Sequence, residues 1–249
     1  MIALRHRSAP RTHVGLVRKV NEDALLARDD AALWVVADGM GGHDNGQWAS
    51  QTLIAEFAAL ALPADPAARG AAMVAAFEAG NTTIHDAAQA AGKQMGTTCV
   101  LFHLNADDTL FLWVGDSRIY RSRGGELTQV TRDHTVVQEL VDRGSLAPED
   151  AETHPMSHVL SRAVGTEAGL RYDALVDKAL PGDRYLLCSD GITKVVPEVL
   201  IARLLAKGNI DAAADQLLAE TLERGAPDNT SLIVVSVEET TALTPQDGL

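Results

Sequence analysis

Four aspartates stand at or beside the ends of apolar, strand-like runs, and together they suggest a site for divalent cations. They are Asp38, Asp116, Asp190 and Asp228, and each has a glycine or a turn beside it. Each one alone is usually an ordinary turn residue. If the runs lie side by side, the carboxylates converge, and like charges that close cannot all stay ionised without compensation. An all-oxygen ligand set selects Mg²⁺ or Mn²⁺ over zinc.

Phosphate chemistry is the use that fits a pair of such ions. Two ions about 3.5–4 Å apart can hold a bridging water, lower its pKa and direct it at a phosphorus atom. The other phosphate oxygens then need a cation of their own. Arg18 is the candidate, because a guanidinium grips phosphate oxygens bidentately. The alternative for Arg18 is a solvated surface arginine.

The glycine-rich turn after Asp38 is the most informative of the four positions. An apolar run over residues 33–37 predicts a buried strand that stops at Asp38. The Gly39 carbonyl could serve as a second oxygen ligand beside the carboxylate. A plain turn is the alternative. A nucleotide-binding loop is set aside, because Gln47 and Trp48 stand where a P-loop needs Lys and Ser or Thr.

Composition excludes several classes of partner. The chain has 249 residues, of which 46% are hydrophobic, and a formal net charge of −13. The negative sign argues against nucleic acid and anionic membrane as partners. Residues 1–11 lack the apolar core of a signal peptide, and no run approaches the roughly 18 apolar residues of a membrane span. Cys99 and Cys188 lie in apolar runs, which favours buried thiols in a reducing compartment. We therefore expect a soluble, cytoplasmic protein.

The elements that must position the aspartates can be predicted from periodicity and turn residues. Strands are predicted over residues 14–17, 24–27, 33–37, 97–104, 109–115, 117–123, 126–130, 170–175, 183–188 and 231–237. Helices are predicted over residues 46–62, 67–91, 136–141, 148–152, 197–205 and 211–224. The four runs between residues 97 and 130 suggest an antiparallel meander. Residues 133–165 suggest a flap over the site, within one catalytic domain over residues 1–238 that is followed by a short tail over residues 239–249.

Eight segments resemble, in order and across nearly the whole chain, the motifs of a known family. They cover residues 14–23, 37–43, 96–98, 114–118, 131–134, 161–165, 188–191 and 227–230. The family is the metal-dependent protein phosphatases, the type 2C Ser/Thr phosphatases, in their compact bacterial form. The resemblance implies an α+β fold, a four-layer αββα sandwich of two antiparallel sheets flanked by helix pairs.

The same resemblance implies a set of metal ligands. Asp38 would bridge two metal ions, and Gly39 would donate its carbonyl. Asp190 and Asp228 would complete the shell of the first ion. Asp116, together with Asp190, would hold a third, weaker ion. The implied cofactor is Mn²⁺ or Mg²⁺, with two tight ions and the weaker third ion as an additional option.

The resemblance also implies roles around the metals. Arg18 would clamp the substrate phosphate, and Glu22 and Asp23 would act around the ions, partly through water. The general acid is left open, because Met40 stands where animal members carry a histidine. His43 is the nearby candidate, and a turn histidine with its own hydrogen bonds is the alternative.

The activity implied is metal-dependent hydrolysis of phosphoserine and phosphothreonine in proteins, counteracting a Ser/Thr kinase. Phosphorylated proteins and a cognate kinase are the expected partners. Two alternatives stay open: a catalytically weak regulatory or binding module of the same fold, and a hydrolase of small phosphate esters. The presence of all four aspartates argues against the first. Comparing a phosphothreonine peptide with small esters tests the second.

Overall fold

Strands and helices follow the order that the sequence predicts, with a few shifts. The computed structural model describes residues 4–42, 44–106, 108–151 and 153–240. The strands are β1 (Leu4–His13), β2 (Asp23–Arg28), β3 (Leu33–Met40), β4 (Gly96–Thr97), β5 (Cys99–Asn105), β6 (Asp108–Val114), β7 (Arg118–Arg123), β8 (Glu126–Gln129), β9 (Asp173–Lys178), β10 (Arg184–Cys188) and β11 (Thr230–Glu239). The helices are α1 (Asp44–Ala59), α2 (Pro66–Ala91), α3 (Val136–Asp142), α4 (Asp190–Thr193), α5 (Glu198–Leu205) and α6 (Ile210–Glu223).

The strands form two sheets. One has the order β1-β11-β10-β7-β8, and the other has the order β2-β3-β5-β6-β9, with β4 paired to β3. The neighbouring strands for which register is resolved pair antiparallel. This agrees with the antiparallel sheets that the sequence resemblance implies.

Strand β3 shows how one sheet is covered on both faces. Leu33 and Val35 pack into an apolar cluster with residues of α1 and α2. Trp34 and Val36, which point the other way, pack into a second cluster between the sheets. Because both faces are buried, the strand is a continuous apolar run rather than an alternating one.

Strand β10 repeats this arrangement in the other sheet. Tyr185 and Leu187 join the cluster between the sheets, whereas Leu186 and Cys188 join a third cluster with residues of α4, α5 and α6. The layers are therefore helix, sheet, sheet and helix, and the predicted αββα sandwich is confirmed. Cys99 and Cys188 are both buried free thiols, as expected.

The first predicted strand was wrong. Residues 14–17 form a loop in which Leu16 is 62% exposed and Val17 67% exposed. The strand lies earlier, at β1, which pairs with β11 at the edge of its sheet. Its sequence carries little apolar signal, because Ala9 is the one residue of β1 that is buried. An edge strand of this kind gives no periodicity to detect.

The predicted meander was also wrong in one respect. Strands β5 and β6 pair, as do β7 and β8, but β6 and β7 belong to different sheets. The chain crosses between the sheets at residues 115–117. Two smaller corrections follow: residues 148–150 form only a 3-10 turn, and β11 extends to Glu239 into the predicted tail. Residues 241–249 of that tail lie outside the described residues.

Candidate active site

The four predicted aspartates converge on one cavity. Asp38 lies on β3, Asp116 follows β6 at the crossing between sheets, Asp190 begins α4, and Asp228 precedes β11. All four line a cavity of about 440 Å³, which Arg18, Glu22 and Gly39 also line. Segments far apart in sequence are thus brought together at one end of the two sheets.

Burial and mutual repulsion dominate the electrostatics of this cavity. Burial, and then the charges of Asp23 and Asp190, raise the pKa of Asp38 well above its ordinary value. Burial is also the main reason why the pKa of Asp23 and the pKa of Asp116 are each raised to about 7. The charge of Asp190 adds to both shifts. Carboxylates held this way gain from any cation that enters among them.

Two glycines allow the segments that carry the aspartates to approach closely. A Cβ atom on Gly39 would lie 2.1 Å from the Gly46 carbonyl oxygen, at the start of α1. A Cβ atom on Gly191 would lie 1.8 Å from the Asn229 carbonyl oxygen. Real Cβ atoms do not come so near a backbone, so only glycine fits. The second contact places Asp190 beside the segment that carries Asp228.

Asn229 fixes the loop that carries Arg18. Its side-chain amide donates hydrogen bonds to the carbonyls of Val14 and Val20, at 2.8 and 2.9 Å. Its side-chain oxygen accepts a hydrogen bond from the Glu22 backbone N–H at 2.8 Å. This buried side chain therefore joins both ends of the loop to the segment of Asp228, and sequence reasoning gave it no role.

Hydroxyl groups support the segments that carry the acidic residues. The Asp38 N–H donates to the Thr98 hydroxyl at 3.0 Å, and the Thr98 and Ser117 hydroxyls are 2.7 Å apart. The Ser189 hydroxyl donates to Asp23 Oδ2 at 2.8 Å. The Glu22 carboxylate lies against the start of α1, where a Cβ atom on Gly46 would be 2.7 Å from its Oε1.

Arg18 faces the cavity but is engaged with an aspartate. Its Nε and Nη2 atoms lie 3.0 Å from the two carboxylate oxygens of Asp228. The side chain is about half exposed. This bidentate fork is the geometry that a guanidinium also offers to a phosphate.

Lys194 is a second cation in the cavity, which sequence reasoning missed. Its ammonium contacts Asp190 and lies 3.4 Å from Asp228 Oδ2. Lysine four residues after aspartate on a helical turn faces it, so the i, i+4 spacing was a usable signal.

The donor set fits a hard divalent ion. Asp23 Oδ1 and Asp190 Oδ1 are buried atoms without a hydrogen-bond partner in the described ranges. Such orphaned carboxylate oxygens are costly unless a cation meets them. Within residues 4–42, 44–106, 108–151 and 153–240, however, no three acidic, imidazole or thiol side chains already form a metal cage. Arg18 and Lys194 lie against the carboxylates, so side chains must move when an ion binds.

The remaining predictions concern the general acid and the flap. His43 lies outside the described residues, so its role stays a prediction. Met40 lines the cavity. His158 and Leu160, from the predicted flap, line the same cavity, and Leu160 forms a β-bridge with Thr135. The far end of this segment is tied to β4 through Thr97 and Val164.

Comparison with known proteins agrees with the fold and the site. The family model described as protein phosphatase 2C matches residues 16–232. The Ser/Thr protein phosphatase PstP of Mycobacterium tuberculosis is 40% identical over 235 residues, which are 93% of this chain and 45% of that protein. This chain thus spans less than half the length of that relative.

Two solved structures are close to this fold. PppA of Pseudomonas aeruginosa, described as a key regulatory component of T6SS, superposes with a TM-score of 0.89 at 38% identity, covering 95% of this chain and 100% of that one. The catalytic domain of PstP in complex with two manganese ions superposes with a TM-score of 0.84 at 37% identity, covering 95% and 100%.

The fold and the aspartate cavity therefore define a phosphatase-type α+β sandwich. The chain belongs to the protein phosphatase 2C family. Within the described ranges, every helix is too short or too polar to span a lipid bilayer.

Proposed function

We propose that this chain is a protein phosphatase that hydrolyses phosphoserine and phosphothreonine with the help of Mn²⁺ or Mg²⁺. The observation that carries the proposal is the convergence of Asp38, Asp116, Asp190 and Asp228 on one cavity beside Arg18. The family membership and the manganese ions of the PstP structure support it.

Each aspartate has a proposed ligand role. Asp38 would hold both tight ions, and the Gly39 carbonyl would be a further ligand to one of them. Asp190 and Asp228 would complete the ligands of the first ion, while Asp116 and Asp190 would hold a weaker third ion. Bound there, the ions would supply a water of lowered pKa as the nucleophile and a Lewis acid for the phosphate. The orphaned oxygen of Asp190 supports this assignment.

Arg18 is proposed to orient the phosphate. Its fork lies on Asp228, so a phosphate that enters beside Asp228 meets the guanidinium with little movement of the loop. The clamp made by Asn229 holds that loop at both ends. Glu22 and Asp23 are proposed to act around the ions, partly through water; the hydrogen bond from Ser189 orients the Asp23 carboxylate.

Phosphorylated proteins are the proposed substrates, and a Ser/Thr kinase is the proposed counterpart. The cavity is open and acidic, and Leu16 and Val17 beside Arg18 expose apolar surface that a peptide chain could contact. The names of the relatives support this class of substrate over a free metabolite.

The test compares substrates at matched Mn²⁺. Phosphothreonine and phosphoserine peptides, a phosphotyrosine peptide, an aryl phosphate, free phosphothreonine and a sugar phosphate are assayed with the same enzyme. We expect kcat/KM to be higher for the phosphothreonine peptide than for free phosphothreonine or the sugar phosphate. A preference for the free amino acid or a sugar phosphate would favour the small-ester hydrolase. No turnover of any ester would favour the regulatory module.

A further inference from the structure

Lys194 is held where a divalent ion would have to bind. Its ammonium contacts the Asp190 carboxylate and lies 3.4 Å from Asp228 Oδ2. Its side chain is 31% exposed and lines the cavity together with Asp116. The ammonium therefore lies against two of the four carboxylates to which we assign metal ligation.

The backbone fixes this position. Helix α4 is a single turn, and the Lys194 N–H donates to the Asp190 carbonyl at 2.9 Å. Gly191 packs against the backbone of Asn229, which prevents the turn from rotating away. Residues four apart on a helical turn lie on the same face. The helical turn therefore directs the Lys194 side chain at Asp190, and the close approach of Gly191 to Asn229 places that turn beside Asp228.

Arg18, the other cation of this cavity described above, is engaged elsewhere. Both nitrogens of Arg18 that reach the cavity are taken by Asp228. Among the described residues, it is Lys194 that forms an ion pair with Asp190.

We propose that Lys194 is a built-in counter-ion of this site, which competes with a divalent ion for the carboxylates of Asp190 and Asp228. The proposal rests on the proposed metal-dependent function. Because the ammonium is tethered next to the carboxylates, its effective concentration there exceeds that of a free metal ion when the metal concentration is low. A divalent ion would then bind to Asp190 and Asp228 only after it displaces the ammonium, and this competition would lower the apparent metal affinity of the site.

An alternative role for Lys194 is direct contact with the substrate phosphate. That role predicts that removal of the ammonium weakens the binding of inorganic phosphate and leaves the metal-binding curve alone. Competition predicts a change in the metal-binding curve itself, in the absence of any substrate or phosphate.

The experiment measures Mn²⁺ binding by equilibrium dialysis and calorimetry on wild type, Lys194→Met, Lys194→Arg and Lys207→Met. Lys207 is an exposed lysine just after α5, so its variant controls for loss of a charge. We expect Lys194→Met to bind Mn²⁺ about tenfold more tightly or better at the site formed by Asp190 and Asp228, because a competing charge at contact distance has been removed. Its chelated form should melt at a lower temperature. Lys194→Arg and Lys207→Met should follow wild type.

An unchanged or weaker Mn²⁺ curve for Lys194→Met would overturn the inference, whether or not phosphate binding also weakens. The same titration on Asp38→Ala separates this inference from the proposed function. If wild type binds no more Mn²⁺ than Asp38→Ala, the metal-dependent function fails. If wild type binds two ions that Asp38→Ala lacks, but Lys194→Met matches wild type, only the role of Lys194 fails.

Discussion

Asp23 and Asp38 stand directly opposite each other on the paired strands β2 and β3. Opposed residues in an antiparallel pair have Cβ atoms about 4.5–5.5 Å apart, and like charges there are destabilising. Asp23 is only 5% exposed, and burial raises the pKa of both carboxyl groups. The register of two strands thus builds an acidic pair that costs stability unless a cation compensates it.

Bound metal should therefore stabilise the fold, and removal of one of the two carboxylates should relieve the repulsion between them. We expect chelation to lower the melting temperature of wild type and added Mn²⁺ to raise it. Asp38→Ala should melt, when chelated, at or above the temperature of chelated wild type, because repulsion is reduced. It should gain little from Mn²⁺. Thermal melts with and without chelator measure this, and a marked drop for chelated Asp38→Ala would refute the repulsion.

Arg18→Ala should impair catalysis without loss of metal. Removing a charged hydrogen-bond donor costs about 1.5–3 kcal/mol, or about tenfold to over a hundredfold in kcat/KM. Mn²⁺ affinity should stay the same or rise, because Asp228 loses a competing partner. Arg7→Ala is the control, since Arg7 is an exposed arginine of β1 paired with Asp211. Steady-state kinetics and a Mn²⁺ titration test this prediction. Loss of Mn²⁺ binding with a normal kcat/KM would contradict the proposed role of Arg18 in binding phosphate.

Asn229→Ala should reduce both stability and turnover. Its amide makes three hydrogen bonds to the Arg18 loop and to Glu22, so we expect the free energy of unfolding to fall by about 1–3 kcal/mol. The loop should then hold Arg18 less firmly, and kcat/KM should fall as well. Denaturant melts and kinetics measure the two effects.

Asn209→Ala provides the matched control for that variant. Asn209 caps α6 by accepting a hydrogen bond from the Ala212 N–H at 2.7 Å, and it does not line the cavity. Its loss should cost about 1 kcal/mol of stability and leave kcat/KM unchanged. Equal kinetic effects from the two asparagine variants would show that Asn229 acts only through global stability.

Gly191→Ala should weaken metal binding through the backbone. The added methyl would lie 1.8 Å from the Asn229 carbonyl oxygen, so the start of α4 and the segment of Asp228 must separate. We expect Mn²⁺ affinity and kcat/KM to fall together. Gly169→Ala is the control, because a Cβ atom there meets nothing within 4 Å. Wild-type Mn²⁺ affinity in Gly191→Ala would mean that the close approach does not set the ligand geometry.

Much of the fold could be predicted from local signals. Strands β3 and β10 are covered on both faces, so each is an unbroken apolar run that any window detects. Strand β1 could not be found this way, because its side chains alternate polar and half-exposed at a sheet edge. The crossing between sheets at residues 115–117 depends on which strands pair at long range, and a run of adjacent strands carries no information about that.

Some residues of the site could also be predicted from local signals, whereas others depend on tertiary structure. Asp38, Asp116, Asp190 and Asp228 could be predicted, because each stands at or beside one end of an apolar run and has a glycine or a turn beside it. The three hydrogen bonds of Asn229 reach residues more than two hundred positions away, and no local pattern reveals them. Lys194 carried a local signal in its spacing from Asp190, yet its proximity to Asp228 depends on tertiary structure.

The central claim is that this acidic cavity holds the metal ions that hydrolyse phosphothreonine, and one titration tests it most directly. Wild type and Asp38→Ala are stripped with a chelator and titrated with Mn²⁺, and bound metal and hydrolysis of a phosphothreonine peptide are measured on the same samples. We predict no hydrolysis by stripped wild type, recovery in step with the tightly bound ions, and neither recovery nor tight binding in Asp38→Ala. Full activity of stripped wild type, or recovery of Asp38→Ala at saturating Mn²⁺, would contradict the account.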